Sequence, residues 1–462
     1  MSSRSFSMTR LFWKALNGDP STLECLQFVG EGELPSCFPV TDFASASIAS
    51  AALSIGELAV HADDAPVVTV DRRLASLWFG GSIEPIGWRP PAPWDPIAGD
   101  YPARDGWIRL HTNAPRHRAA AQRVLGRHTD KAAIAHAVAG WTKAALEAAV
   151  VEAGGCAAEM RSTAEWLAHS QGRAVRSEPL VHMHNRHDAT VHAGWAPSRS
   201  RPLAGIRALD LTRVLAGPVA TRFLAAYGAE VLRIDPPDWD EPGVVPEVTL
   251  GKRCARLDLK TLEGRSRFEL LLAGADVLVH GYRPGALERL GYDEARRSAI
   301  SPGLIDVSLD AYGWSGPWTG RRGFDSLVQM SSGIADAGRK WKGADRPVPL
   351  PVQALDHGTG YLLAAAAVRG LVNRRLTGGG MTARLSLART ASVLWEAGEG
   401  GKEAALLPRA DCDLSPSLEA TSWGNARRLN PPVVVAEAPM FWPCGASALG
   451  SARAAWEEMT AT

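Results

Sequence analysis

Short apolar runs alternate with segments whose apolar positions recur every three or four residues across much of the C-terminal half of this 462-residue chain. The pattern predicts a buried strand over 206–211, then a helix over 218–227 opened by Pro218 and closed by Gly228, then a strand over 230–234. That is a βαβ unit. The alternation continues with a helix over 262–272, a strand over 277–280, a short helix from Pro284 and a strand over 304–309. A long helix rich in small residues follows over 356–373, then a glycine turn at 378–380 and a strand over 383–387. Strands that alternate with helices predict an α/β fold, a parallel sheet with helices on both faces.

Residues 105–170 have a different texture. Strands are predicted over 107–110 and 156–160, helices over 114–125 and 144–153, and a further helix from Ser162, which together make a small α+β domain. The His/Arg/Ser-rich stretch up to Arg201 and Pro202 has the composition of a linker. The chain therefore divides at 1–100, 101–172, 173–202, 203–400 and 401–462, the last segment rich in Pro, Ala and Trp and mostly irregular. An internal repeat also shows: Val40-Thr41-Asp42-Phe43 opens a small-residue helix as Ala354-Leu355-Asp356-His357 does, and 70–78 parallels 387–395. A decayed duplication and a chance likeness of Ala-rich helices both account for it.

Composition narrows the function classes. Lys plus Arg number 50 and Asp plus Glu 49, giving a formal net charge of +1 with both signs interspersed. No broad field for nucleic acid or an anionic membrane follows, so any anion site must be local. The six cysteines, including Cys25, Cys37 and Cys412, are scattered without CxxC or Cys/His pairing, which predicts neither structural zinc nor a disulfide framework. No membrane-spanning run or signal-peptide core is read, and a soluble, cytoplasmic protein is expected.

Two places could carry chemistry. In the segment 209–218 a buried strand ends in a polar turn that opens a helix, where free N–H groups and the helix dipole favour an anion and Arg213 adds charge. The turn lacks GxGxxG, so a dinucleotide site is not supported. Asp356 stands at a predicted helix start, followed by His357, Gly358, Thr359 and Gly360. It suits an N-cap, and it equally suits a carboxylate nucleophile that small neighbours leave accessible to a bulky thioester. His357 could act as a base or be structural. The irregular run His182, His184, His187 and His192 reads as a flexible segment rather than a metal site, and no GxSxG elbow is present.

The motifs at 209–218, 228–237, 257–260, 282–291 and 313–317, taken in order, resemble the family III CoA-transferases (the CaiB/BaiF group), which include formyl-CoA transferases and α-methylacyl-CoA racemases. The resemblance implies a Rossmann-like sheet plus a small domain, and an enzyme moving CoA from an acyl thioester to a carboxylic acid. It implies that Asp356 becomes acylated, and that Arg213, Val214, Leu215, Ala216, Leu257, Lys260, Tyr282, Arg289, Leu290 and Arg322 line the CoA groove. Coenzyme A and acyl-CoA are then substrates; no covalently bound cofactor and no metal are expected. A nucleotide with three phosphate groups suits Lys and Arg, and its adenine suits apolar or aromatic walls.

Departures from the family pattern are expected to matter. Phe324 occupies the place of the histidine that racemase members pair with the aspartate, which disfavours racemisation. Gly281 replaces a groove asparagine, and the glycine-rich active-site loop has no counterpart. The small-domain-like stretch precedes the large domain, so the order looks permuted, and Asp42, the counterpart of Asp356, is expected to be structural. A racemase or lyase on the same scaffold, or an inactive CoA-binding relative, stays open, as do a homodimer and a pseudo-dimeric monomer.

Overall fold

The computed structural model describes residues 3–59, 66–186, 195–401 and 403–457. Its central sheet has seven strands in the spatial order Lys252–Arg256, Glu230–Asp235, Arg207–Leu211, Val277–His280, Ile305–Asp310, Met381–Ser386 and His182–Asn185. The first six run parallel, and His182–Asn185 lies antiparallel at the edge. From Arg207–Leu211 the chain builds outward in one direction, then returns to build outward in the other from Val277–His280. That reversal opens a crevice beyond the carboxyl ends of these two strands, the usual ligand position in an open α/β sheet.

Alternating side chains explain why both faces are covered. Ala208, Val231, Val277 and Val279 join the core beneath the helices Ala216–Ala226 and Ala354–Thr377. Leu209, Leu211, Leu232 and Leu278 point the other way, toward Phe268 and Leu271 of the helix Leu262–Ala273. The helix Ala354–Thr377 is buried along most of its length, and its small residues allow close neighbours. A Cβ on Gly360 would lie 2.4 Å from the Ala216 carbonyl oxygen, and one on Gly358 would lie 2.2 Å from the Phe43 ring.

Phe43 belongs to the helix Val40–Ala59, part of an N-terminal unit that repeats the local arrangement of the large domain. The strand Leu26–Val29 pairs in parallel with Val68–Asp71, on whose other side Val433–Val435 runs antiparallel. Ile305–Asp310, Met381–Ser386 and His182–Asn185 keep the same order and directions. In both places a long helix joins the parallel pair, and a second helix follows the second strand directly, capped by Asp71 on the Leu74 N–H (2.9 Å) or by Ser386 on the Arg389 N–H (3.2 Å).

The small unit is an antiparallel sheet of Gly99–Ala103, Gly106–Leu110 and Ala157–Glu159. With the helices Pro115–Leu125, Lys131–Ala139 and Lys143–Glu152 it encloses a separate core around Ile108, Ile134, Leu146 and Val150. Among the described residues, no helix is long and apolar enough to cross a membrane.

Three sequence expectations need correction. The stretch with linker composition supplies a helix end at Ser177 and the edge strand His182–Asn185, whose side chains are mostly exposed; an edge strand needs few apolar residues, so composition hides it. His187 and His192 lie outside the described residues. The mostly irregular C-terminal segment nevertheless carries three short strands among its described residues: Glu419–Thr421 pairs with Gly424–Arg428, which pairs in turn with Ile83–Pro85, and Val433–Val435 joins the N-terminal sheet. Strands of three residues are too short to display a period of two. At Pro284 the chain forms a turn, and regular structure resumes at Glu288–Leu290 and Glu294–Ile300.

The glycine approach yields a stability test. Gly358→Ala should destabilise the protein by about 1–3 kcal/mol through overpacking against Phe43, read from the denaturant midpoint. Combining it with Phe43→Leu should cost less than the sum of the two single changes; strict additivity would refute the contact.

Candidate active site

The turn after Arg207–Leu211 is held by a buried polar knot. The Asp210 carboxylate accepts from the Thr212 N–H (2.8 Å) and hydroxyl (2.5 Å), from the Thr221 hydroxyl (2.5 Å) and from Lys252 Nζ (3.0 Å). These bonds tie the turn to the helix behind it and aim residues 213–216 into the crevice. Val214 is strained there, with φ at 65°, a left-handed conformation that costs a β-branched residue about 1–3 kcal/mol. Its N–H donates to Glu241 (2.9 Å), which Arg233 and Trp239 hold in turn.

A cavity of about 280 Å³ lies in front of this turn. Arg213, Val214, Leu215, Ala216, Tyr282, Arg322 and Asp356 all line it. Arg213 sits over the rings of Trp239 (4.8 Å) and Tyr282 (5.3 Å), and Arg116 sits over Trp239 as well (5.4 Å). Burial lowers the pKa of Arg116, and the charges of Arg213 and Arg322 lower it further. Arg283 is lowered by burial and then by Arg322, Arg289 and Arg116. Guanidinium groups that destabilise one another across a cavity favour an anionic ligand, which relieves the repulsion.

Asp356 is 6% exposed and is not the N-cap. The helix begins at Ala354 with Gln353 at the cap, so Asp356 lies inside the first turn and its carboxyl is free of the capping role. Its own N–H donates to Asp325 Oδ2 (3.0 Å), while Asp325 Oδ1 accepts from Gln329. Burial pushes the Asp325 carboxyl up to about 6, and the amides it accepts from hold it back. Burial and the charge of Asp325 hold Asp356 well above the usual carboxylate value. Both acids are therefore held above the ordinary carboxylate range, and no amide offsets the rise at Asp356. Asp310, also on the cavity wall, is raised to about 7 by burial.

Three histidines stand nearby. His111 stacks on Phe324 at 3.8 Å, and His117 meets the same ring edge-on at 5.9 Å and lines the cavity. Burial is the first cause lowering both, to about 3 and about 4, so both are neutral. His357 is turned onto Phe79 (4.8 Å) and is lowered to about 3, mainly by burial. Asp42 is buried beneath Ser5 Oγ (2.5 Å) and Arg72 (3.3 Å), so it holds structure together.

A family model for CoA-transferase family III matches residues 203–399. That segment belongs to CoA-transferase family III. The chain is 33% identical over 238 residues to the acetyl-coenzyme A transferase nodX of Hypoxylon pulicicidum, covering 49% of this chain and 40% of the relative. It is 34% identical over 194 residues to the succinyl-CoA:glutarate CoA-transferase of Mus musculus, covering 39% and 44%. A solved CaiB/BaiF family protein from Brucella suis aligns at 29% identity with a TM-score of 0.39, over 49% of this chain and 65% of that one. The chain spans about half the length of the curated relatives it matches.

Within the family III segment, Leu257, Lys260, Arg289 and Leu290 are set apart from the cavity wall. Leu257 and Leu290 pack with Tyr282 against the core on the far face, Lys260 is exposed, and Arg289 leans toward Gly285. The sequence reading missed Arg116, His117 and Trp239. The first two come from the small unit, outside the family segment, and only the basic cluster 116–118 behind Pro115 signals them.

The raised pKa of Asp356 carries a stability consequence. The folded chain holds a proton there that the unfolded chain has already released, so stability falls as pH rises from the ordinary carboxylate range through the folded value. Asp356→Asn removes the penalty. Its melting temperature should equal or exceed that of the unaltered protein at pH 8, with a smaller gain at pH 5; an Asn variant that melts lower at pH 8 would overturn the assignment.

Proposed function

We propose that the protein transfers CoA between an acyl thioester and a carboxylic acid, with the Asp356 carboxylate as the group that is acylated. What carries this reading is the meeting of a nucleophile-capable carboxyl and a cluster of guanidinium groups on one cavity. The relatives' names point the same way, since they specify CoA transfer.

The chemistry closes without a redox partner. An Asp356 oxygen attacks the donor carbonyl carbon and the C–S bond breaks, giving a mixed anhydride and CoA thiolate. The thiolate attacks the aspartyl carbon, the donor acid leaves, and an aspartyl thioester remains. The acceptor carboxylate then attacks that thioester and CoA thiolate leaves again. Attack of the thiolate on the acceptor's carbonyl gives the new acyl-CoA and frees Asp356. Covalent catalysis replaces one difficult exchange by easier steps. Arg213 and its neighbouring guanidinium groups bind the phosphates, and the Trp239 and Tyr282 rings offer stacking walls. The groove residues inferred from the family pattern, Leu257, Lys260, Arg289 and Leu290, would extend this surface past Tyr282.

One observation favours a second reading. His117 is a neutral imidazole on the same cavity and could move a proton α to a thioester, as a racemase or lyase requires. Solvent deuterium entering recovered acyl-CoA without an acceptor acid would support that alternative.

Incubation with an acyl-CoA and hydroxylamine should convert Asp356 to a hydroxamate detectable by peptide mass. Asp356→Asn should give no adduct, transfer at least a thousandfold more slowly and still bind CoA by calorimetry; an unlabelled Asp356 in protein that transfers CoA would refute the role. Because Asp356 must lose its proton before attacking, the transfer rate should rise with pH along a limb lying above the ordinary carboxylate range. Asp325→Asn removes the neighbouring charge and should move that limb to lower pH. A limb that stays in place would show that Asp356 does not titrate in it.

A further inference from the structure

Past Val214 and Phe324 the cavity around Asp356 adjoins a second chamber of about 380 Å³, and the two share Val214, Trp239 and Phe324 as common walls. The remaining wall is largely apolar, with Pro93, Trp94, Pro96 and Val244 on it. Residues 92–96, His111, Asn113 and Ala114 lie outside the segment 203–399, so half of this chamber's wall is built by parts of the chain that the family match does not cover.

Most polar groups on the wall are already committed; His111, whose Nδ1 has no partner, is kept a neutral imidazole by burial. Asp95 accepts from the Ile97 N–H (3.1 Å), the Thr112 hydroxyl (2.8 Å) and Arg118 (3.2 Å). Glu241 accepts from Val214, Trp239 and Arg233. The Asn113 amide donates to the Pro93 carbonyl (2.9 Å) and accepts from the Asp95 N–H (3.0 Å). The wall carries no Lys or Arg. Arg116 and Arg213, over the Trp239 ring, line the first cavity and not this one. Arg109 lies over Trp94 (5.0 Å) but off the wall, paired with Asp100 (2.7 Å).

We infer that this chamber receives the tail of the acyl group and of the acceptor acid, and that it selects apolar monocarboxylic acids over dicarboxylic ones. The inference rests on the CoA-transfer reading. A second carboxylate carried into the chamber would lose its hydration, find no cation and face acidic neighbours. An aryl or alkyl tail meets prolines and aromatic faces instead. A dry apolar cavity of about 150 Å³ accepts a benzene ring, so this space suits a ring with a short chain or a medium-length alkyl chain. Val214 and Phe324 would then stand where the reacting carbonyl meets its tail.

The test reads binding rather than turnover, so its failure is distinct from failure of Asp356 labelling. The full chain is saturated with CoA and titrated calorimetrically with 3-phenylpropionate, octanoate and glutarate. The two monocarboxylates should bind at least tenfold more tightly than glutarate. Trp94→Lys, at a side chain already 37% exposed, should narrow that ratio about tenfold by giving the second carboxylate a partner, with CoA affinity unchanged. Glutarate binding as tightly as the monocarboxylates, no binding of the monocarboxylates, or an unchanged ratio in Trp94→Lys would each overturn the inference.

Discussion

The site turns on two buried carboxyl groups placed side by side, Asp325 at the start of the helix Asp325–Ser331 and Asp356 in the first turn of the helix Ala354–Thr377. Asp325 takes the hydrogen bonds available there, including the N–H of Asp356 itself, and so becomes the better-solvated anion. Asp356 feels burial and the charge of Asp325, and both raise its pKa. A carboxylate deprived of solvation is a stronger nucleophile once ionised than one wrapped in water, and the same deprivation makes it costly to ionise. Reactivity and instability have the same physical source, which is why such residues concentrate at functional sites.

The fold supplies the other half of the constraint. Helix Ala354–Thr377 can bring its first turn to the crevice only because glycines at 358 and 360 let it nest against Phe43 on one side and the Ala216 carbonyl on the other. The crevice exists because the sheet order reverses between Arg207–Leu211 and Val277–His280. The Asp210 knot then fixes the turn, and Val214 absorbs the strain of presenting it. The N-terminal unit matters here although it carries no part of the family segment, since Phe43 belongs to it.

Much of this could be read from sequence, for identifiable reasons. Five of the six parallel strands are mostly buried and were read as short apolar runs, whereas Lys252–Arg256 was missed because its Lys and Arg interrupt any such run; the turn at 209–218 was legible because its polar and helix-opening residues are consecutive. Asp356 was legible as a helix-start carboxylate, yet its spacing suggested a cap, and the cap lies three residues earlier at Gln353. Arg116, His117 and Trp239 reach the cavity through tertiary contacts that no local pattern encodes. The edge strand His182–Asn185 was hidden because exposed strands resemble loops in composition.

The division of labour between segments has a mechanistic logic. Residues 203–399 contain Arg213, Arg283 and Arg322 of the guanidinium cluster, the strained turn at Val214 and the carboxyl proposed above to be acylated. The small unit contributes Arg116 and His117 to that cavity and His111 to the second chamber, so it touches both. Phe324 is where the two meet, stacked on His111 and edge-on to His117. An aromatic ring at this junction cannot exchange a proton, but it can exclude water from the carbonyl being attacked. Excluding water matters for this chemistry, because a mixed anhydride or an aspartyl thioester exposed to solvent hydrolyses and the acyl group is lost. In the reaction proposed above, an apolar junction built partly from outside the family segment would protect both intermediates from water as well as shape specificity.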